Sequence, residues 1–171
     1  GIACANLLSD LGAQVSLTDI SDNPATRLSA SRLKSKNINL ELGRHTPEFI
    51  QGRDFIVVSP GVPNSSPALA WADKFNIPVI SEIEAAWILC PAQVIATTGS
   101  SGKTTVVTLI AKTLQACGRQ AFICGNIGNP FCAEVDKMSP DDFISLEVSS
   151  FQLERIQRFK PKIAVMLNFS R

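Results

Sequence analysis

The chain has 171 residues, 45% of them apolar, with 16 basic against 15 acidic side chains and five cysteines. That apolar share suffices for a globular core, and a near-balanced charge leaves no bulk field to gather nucleic acid or an anionic membrane. The cysteines form no C-x-x-C pair and read as reduced, mostly buried thiols of a cytoplasmic protein, while no apolar run reaches the length of a membrane span.

In chain order, the opening "GIACANLLSDLG" places Cys4, Leu7, Leu8 and Leu11 on one helical stripe, with Gly12 as its stop. A short strand, "AQVSLTD", ends at Asp19. Pro24 suits the first turn of a polar helix over "NPATRLSASRLKSK". Next come a weak strand "INLEL", a buried strand "DFIVVSPGV" stopped by Pro60-Gly61, a helix "SPALAWADKFN", a strand "IPVIS" and a helix "EIEAAWILC" reaching Pro91. The pattern then restarts with the strand "AQVIATT", a glycine-rich loop and a helix from about Thr104 to Cys117. That helix carries Val107, Ile110, Ala111 and Leu114 on one face and stops at Gly118. "QAFIC" is a strand, "GNIGNPF" a turn, "DDFISLEVSS" a strand, "FQLERIQ" a short helix and "KIAVMLN" a last strand. Strands alternating with helices imply an α/β protein with parallel sheets. Two such units are expected, over residues 1–90 and 91–171. Both ends read as cut.

The loop "TTGSSGKTT" departs from the long phosphate-loop pattern G-x-x-x-x-G-K-[ST], because Thr97 stands where the first glycine belongs. Its context is still strand, tight polar loop, helix. Backbone N–H groups of Gly99 to Lys103 are expected to point into the turn, beside a helix start that is partly positive and lacks its own acceptors. Together these suit phosphate oxygens. Lys103 adds a formal charge, and the Thr104 hydroxyl can ligate Mg²⁺. The plain alternative is a glycine turn with a capped helix and a solvated lysine.

Glu147 ends an otherwise apolar strand, at the sheet edge where α/β proteins collect ligands. A carboxylate there calls for a cation, either Mg²⁺ beside phosphates or a structural Arg or Lys. Ser149 and Gln152 fit a capping box, so Gln152 is expected to be structural. Asn126, between Gly125 and Gly128, offers a donor and an acceptor in a turn open to close approach. Ser59-Pro60-Gly61 has the same double reading. His45 lacks a partner motif and reads as a surface residue, and Trp71 and Trp87 read as packing.

"TGSSGKTT", "GNIG" and "LEVSSFQLE", preceded by "VVSPGV", resemble the Mur ligase family, and within it the branch that adds D-glutamate. The resemblance covers almost the whole chain, and the family's nucleotide loop is this shorter glycine form. It implies a Rossmann-like N-terminal domain, lacking its first strand, followed by the start of a P-loop-type parallel-sheet ATPase domain. It further implies that Gly99, Ser100, Ser101, Gly102, Lys103, Thr104 and Thr105 hold ATP. Thr104 and Glu147 would attend Mg²⁺, with Lys103 and Glu147 as the catalytic pair. Asp19 and Ile20 fall at the uracil pocket, and Ser59, Gly61 and Asn126 lie near the UDP-sugar.

The implied reaction joins D-glutamate to UDP-N-acetylmuramoyl-L-alanine through an acyl phosphate, in a monomer. The family's first strand is expected before Gly1, and its D-H-x-D-R-like segment, carbamylated lysine and C-terminal domain after Arg171. The 171 residues alone are therefore expected not to ligate. Other readings are a different Mur or folylpolyglutamate-type amide ligase, a nucleotide-binding module without ligase chemistry, or a structural remnant.

Overall fold

The computed structural model describes residues 1–170. Two compact units divide the chain, 1–80 and 81–171.

In the first unit, α1 (Ile2–Asp10) leads into β1 (Ser16–Asp19), α2 (Pro24–Ala30), β2 (Asn39–Leu42), α3 (Pro47–Ile50), β3 (Ile56–Val58), α4 (Pro67–Lys74) and β4 (Val79–Ser81). β1 and β2 pair in parallel, Ser16 opposite Asn39 through Asp19 opposite Leu42, and β3 pairs with β4. The stripe expected on α1 is narrower than four residues. Cys4, Ala5 and Leu7 are buried, whereas Leu11 is 61% exposed because it is already the C-cap. Gly12 follows at φ +88°, ending the helix as expected. α2 stops at Ala30, well short of the fourteen-residue reading. Its start is secured by Asn23, whose Oδ1 accepts from Thr26 N at 3.0 Å. Ile50, Ala72 and Ile77 form the local core with Ile56, Trp71, Phe75 and Val79 around them. Trp71 stacks on Phe75, so it packs as expected.

The second unit is a four-stranded, fully parallel sheet in the order β6-β7-β5-β8. Its elements are α5 (Glu82–Leu89), β5 (Gln93–Thr98), α6 (Lys103–Ala116), β6 (Ala121–Gly125), β7 (Phe143–Glu147), α7 (Ser150–Leu153) and β8 (Ile163–Met166). Two 3₁₀ turns, Phe131–Ala133 and Val135–Lys137, sit in the stretch between β6 and β7. The apolar runs are buried as central strands require: Val94, Ile95, Ala96, Ile144 and Leu146 are all core. α6 lies on the sheet through Val107 and Ala111, both fully buried, and Ser145 Oγ donates to Val107 O at 2.8 Å. The α/β architecture with parallel sheets read from the sequence is the one the chain adopts.

The boundary near Pro91 lies later in the chain than the division between the compact units, because α5 is fastened to the second unit by two acids. Buried Glu84 accepts from the backbone N–H groups of Gln157, Arg158 and Phe159 at 2.9, 2.9 and 3.0 Å. Glu82 accepts from Cys132 N at 2.8 Å. Trp87 meets Phe159 edge-on, its rings 6.0 Å apart.

Candidate phosphate-binding site

At the carboxyl edge of this sheet, β5 ends at Thr98 and α6 begins at Lys103, leaving a four-residue loop of Gly99 to Gly102. Thr97, at the place of the absent first glycine, is still inside the strand. It is fully buried, and its Oγ1 has no partner among the described residues. The short pattern is therefore a strand that runs further before the loop opens. Gly102 is the N-cap residue of α6, with no side-chain cap, so the first-turn N–H groups keep no intrahelical acceptor. Lys103 Nζ folds back over the loop and donates to Gly99 O at 2.6 Å and Ser100 O at 3.5 Å.

One expectation for the loop needs correction. The N–H groups of Ser100 and Ser101 do not point into an open turn. They donate to Asn168 O (3.2 Å) and Asn168 Oδ1 (2.9 Å), just past the end of β8. Asn168 was not singled out by sequence reasoning. Its only local signal is a position past a strand end, which becomes informative once β8 is known to pair with β5.

Glu147 lies beside this loop. Only 2% exposed, it has Oε2 2.8 Å from Thr104 Oγ1 and Oε1 2.9 Å from Asn126 Nδ2. The Asn126 backbone N–H also donates to Glu147 O at 2.9 Å. Registry explains the grouping: Thr97, Glu147 and Gly125 are lateral neighbours at the ends of β5, β7 and β6. The structural ion pair considered for Glu147 is absent, since no lysine or arginine pairs with it among the described residues. A buried carboxylate with only neutral donors suits a cation brought with a ligand. No group of three His, Cys, Asp or Glu gathers here among the described residues. The donor set of one carboxylate and one hydroxyl fits Mg²⁺, which usually takes one or two carboxylates and completes its shell with phosphate and water. Gln152 accepts from Ser149 N at 2.9 Å as a helix cap, the structural role expected of it.

In the first unit, Asp19 ends β1, where its Oδ1 accepts from Ser21 N and its carbonyl from Gly43 N, each at 2.9 Å. Ile20 is 59% exposed. Ser59 follows β3, and its carbonyl accepts from Val62 N at 3.0 Å, with Gly61 exposed inside that turn. No hydrogen bond joins Asp19 or Ile20 to Ser59 or Gly61 among the described residues. His45 is not a free surface residue. It is half-buried with Nδ1 2.8 Å from Thr18 Oγ1, beside a carboxylate, Glu41, that accepts from Thr46 N and Thr46 Oγ1 at 2.9 and 2.6 Å. Burial alone would raise the Glu41 carboxyl. The Thr46 hydrogen bonds and the Arg44 charge outweigh that and hold it below the ordinary carboxylate value.

A short glycine loop, an uncapped helix start and a buried acid meet at one edge of a parallel sheet in an α/β protein, an arrangement suited to an anion. Two family models match, the Mur ligase MurD-like N-terminal domain over residues 1–81 and the Mur ligase middle domain over residues 97–171. The chain belongs to the Mur ligase family. The UDP-N-acetylmuramoylalanine--D-glutamate ligase of Koribacter versatilis is 43% identical over 170 residues, which is 99% of this chain and 38% of that protein. Its namesake from Chloroherpeton thalassium is 42% identical over 176 residues, with 99% and 37% covered. The chain thus spans little more than a third of the length of these curated relatives. Among solved structures, the UDP-N-acetylmuramate:L-alanyl-gamma-D-glutamyl-meso-diaminopimelate ligase from Neisseria meningitides shares the fold. Its TM-score is 0.60 at 17% identity, covering 98% of this chain and 56% of that one.

Proposed function

We propose that the full-length protein is an ATP-dependent ligase that joins D-glutamate to UDP-N-acetylmuramoyl-L-alanine in peptidoglycan precursor synthesis. The carrying observation is the meeting of Lys103, Thr104, Asn126 and Glu147 at one sheet edge. It occurs in a chain 43% and 42% identical to two D-glutamate ligases.

In this reading the first-turn N–H groups of α6 and the Lys103 ammonium take the terminal phosphates of ATP, since both are positive and both lack a strong anionic partner. Mg²⁺, when bound, would offset charge between phosphate oxygens, and Thr104 and Glu147 are the residues that would hold it. The substrate's terminal carboxylate oxygen attacks the γ-phosphorus, the bond to the β-phosphate oxygen breaks, and ADP leaves. The D-glutamate amine then attacks the acyl carbon, loses a proton and expels inorganic phosphate as the amide forms. Lys103 serves the first step by lowering repulsion between two anions that must touch. Asn126 holds one oxygen of Glu147, so that the other stays turned to Thr104.

The first unit, Rossmann-like in this reading, would take the UDP moiety. Asp19 and Ile20 would stand at the uracil, with Ser59 and Gly61 towards the sugar; Asn126, in the second unit, is a separate candidate for the UDP-sugar. The protein would act as a cytoplasmic monomer.

The test is ADP release by the full-length protein supplied with Mg-ATP, UDP-N-acetylmuramoyl-L-alanine and D-glutamate. The expected result is release that requires both substrates and falls at least about 100-fold in Lys103→Ala. Release independent of D-glutamate, or an unchanged Lys103→Ala rate, would refute the proposal.

A further inference from the structure

The short glycine loop does not hold its own shape; its neighbour strand does. The β5–β8 pairing continues past the end of β8, with Leu167 N donating to Thr98 O at 3.0 Å. One residue on, Asn168 grips the loop at three points. Its carbonyl accepts from Ser100 N at 3.2 Å, its Oδ1 accepts from Ser101 N at 2.9 Å, and its Nδ2 donates to Ser101 O at 3.1 Å. The carboxamide thus reads both polar groups of one residue, as an opposing strand would. Ser101 cannot rotate about φ or ψ without breaking one of the pair. Ser170 N adds a fourth bond, to Ser100 Oγ at 2.9 Å.

Gly99 completes the fit. At φ +147°, it lies so near the same segment that a Cβ would sit 3.1 Å from Leu167 Cβ and 3.2 Å from both Asn168 N and Asn168 O. Three consecutive loop residues are therefore registered on residues 167–170. Two donors that a longer loop could offer to a phosphate are already engaged. Among the groups left are the N–H donors from Gly102 to Thr105 and the Lys103 ammonium, which sits against Gly99 O and Ser100 O in the clamped loop.

We propose that Asn168 is a positioning residue for the nucleotide. Its side-chain amide supplies the rigidity that the missing loop length would otherwise provide, and Asn168 keeps the Ser100 and Ser101 N–H groups from phosphate. A pre-shaped loop meets its ligand without the entropy cost of ordering. Asn168 need not touch the nucleotide for this.

The inference rests on the nucleotide-binding reading above, and its test separates the two. Amide exchange at Ser100 and Ser101 is followed in the nucleotide-free full-length protein, and Mg-ATP affinity is measured by calorimetry, for wild type, Asn168→Ala, Asn168→Asp and Lys103→Ala. Asn168 is exposed among the described residues. Asn168→Ala is expected to lose at least about ten-fold protection at Ser101 and to weaken Mg-ATP about ten-fold, in line with two lost hydrogen bonds. Asn168→Asp keeps the acceptor for Ser101 N but turns a carboxylate oxygen on Ser101 O. It should retain more Ser101 protection than the alanine variant and bind Mg-ATP no better. Lys103→Ala should lose affinity with Ser101 protection intact.

If Asn168→Ala keeps Ser101 protection, or loses it at unchanged affinity while Lys103→Ala binds poorly, Asn168 is not a positioning residue. If Lys103→Ala binds Mg-ATP like wild type, the nucleotide reading itself fails.

Discussion

Replacing Gly125 by alanine tests how tightly the strand ends under the site are packed. Gly125 ends β6 at φ +103°, a conformation unfavourable for any L-residue by at least about 1–2 kcal/mol. An added Cβ would lie 2.2 Å from the Glu147 carbonyl oxygen, which is backbone and cannot swing away. Relieving such an overlap by backbone shifts costs about 1–3 kcal/mol more. The same carbonyl accepts from Asn126 N at 2.9 Å, and displacing it forfeits about 1 kcal/mol. Together these give a loss on the order of 3–6 kcal/mol. Gly118, just past α6 at φ +74°, is the internal control, because nothing lies within 4 Å of its added Cβ. Only the backbone term applies there, about 1–2 kcal/mol. Urea unfolding of both variants, read at constant slope, gives the comparison. If Gly125→Ala is no more costly than Gly118→Ala, β6 and β7 do not meet as closely as the Glu147 geometry requires.

Glu84→Ala removes the acceptor for three backbone donors and is expected to cost about 2–4 kcal/mol, with Glu84→Gln losing less because one oxygen remains. Equal urea midpoints for both variants and wild type would contradict that clamp. Cys124 is buried, and burial first, with the Glu134 carboxylate second, pushes its thiol from the ordinary 9.0 up to about 12. Between those values the unfolded chain releases the proton and the native protein keeps it. Stability should therefore fall as pH rises above about 9, by up to about 1.4 kcal/mol per pH unit. The Cys124→Ala variant should lack that component, so parallel stability–pH curves for the two proteins would refute the assignment. The exposed Cys117 should take up a thiol reagent near pH 8 while Cys124 stays unmodified, checked by mass spectrometry of the folded protein.

Local patterns carried most of the element order. Short apolar runs located β5, β6, β7 and β8, and the Val107–Ala111 face located α6, because each of those signals arises within a few residues. The loop at Gly99–Gly102 and the acid at Glu147 were also legible, the first from residue types and the second from a charge ending an apolar strand. What escaped was non-local. The partners of Glu147 are a hydroxyl and an amide from two other elements, and only the β6-β7-β5 order brings them together. The Asn168 grip joins residues 67 apart in sequence, which no window of the chain displays. The hold on α5 is non-local as well: the donors that meet Glu84 come from Gln157 to Phe159. Leu11 and His45 failed by the opposite route. A stripe was extended one residue past the helix end, and a half-buried imidazole was judged by its missing motif rather than by its contact with Thr18.

The central claim is that the start of α6, with Lys103, Thr104 and Glu147, receives the terminal phosphates of a nucleotide. The most direct measurement is a crystal structure of the full-length protein with Mg²⁺ and a non-hydrolysable ATP analogue. The expected result places β- and γ-phosphate oxygens within about 3.2 Å of the N–H groups of residues 102–105, with Lys103 Nζ drawn off Gly99 O. Phosphates bound elsewhere, or held at this edge by other groups while those N–H donors face solvent, would contradict it.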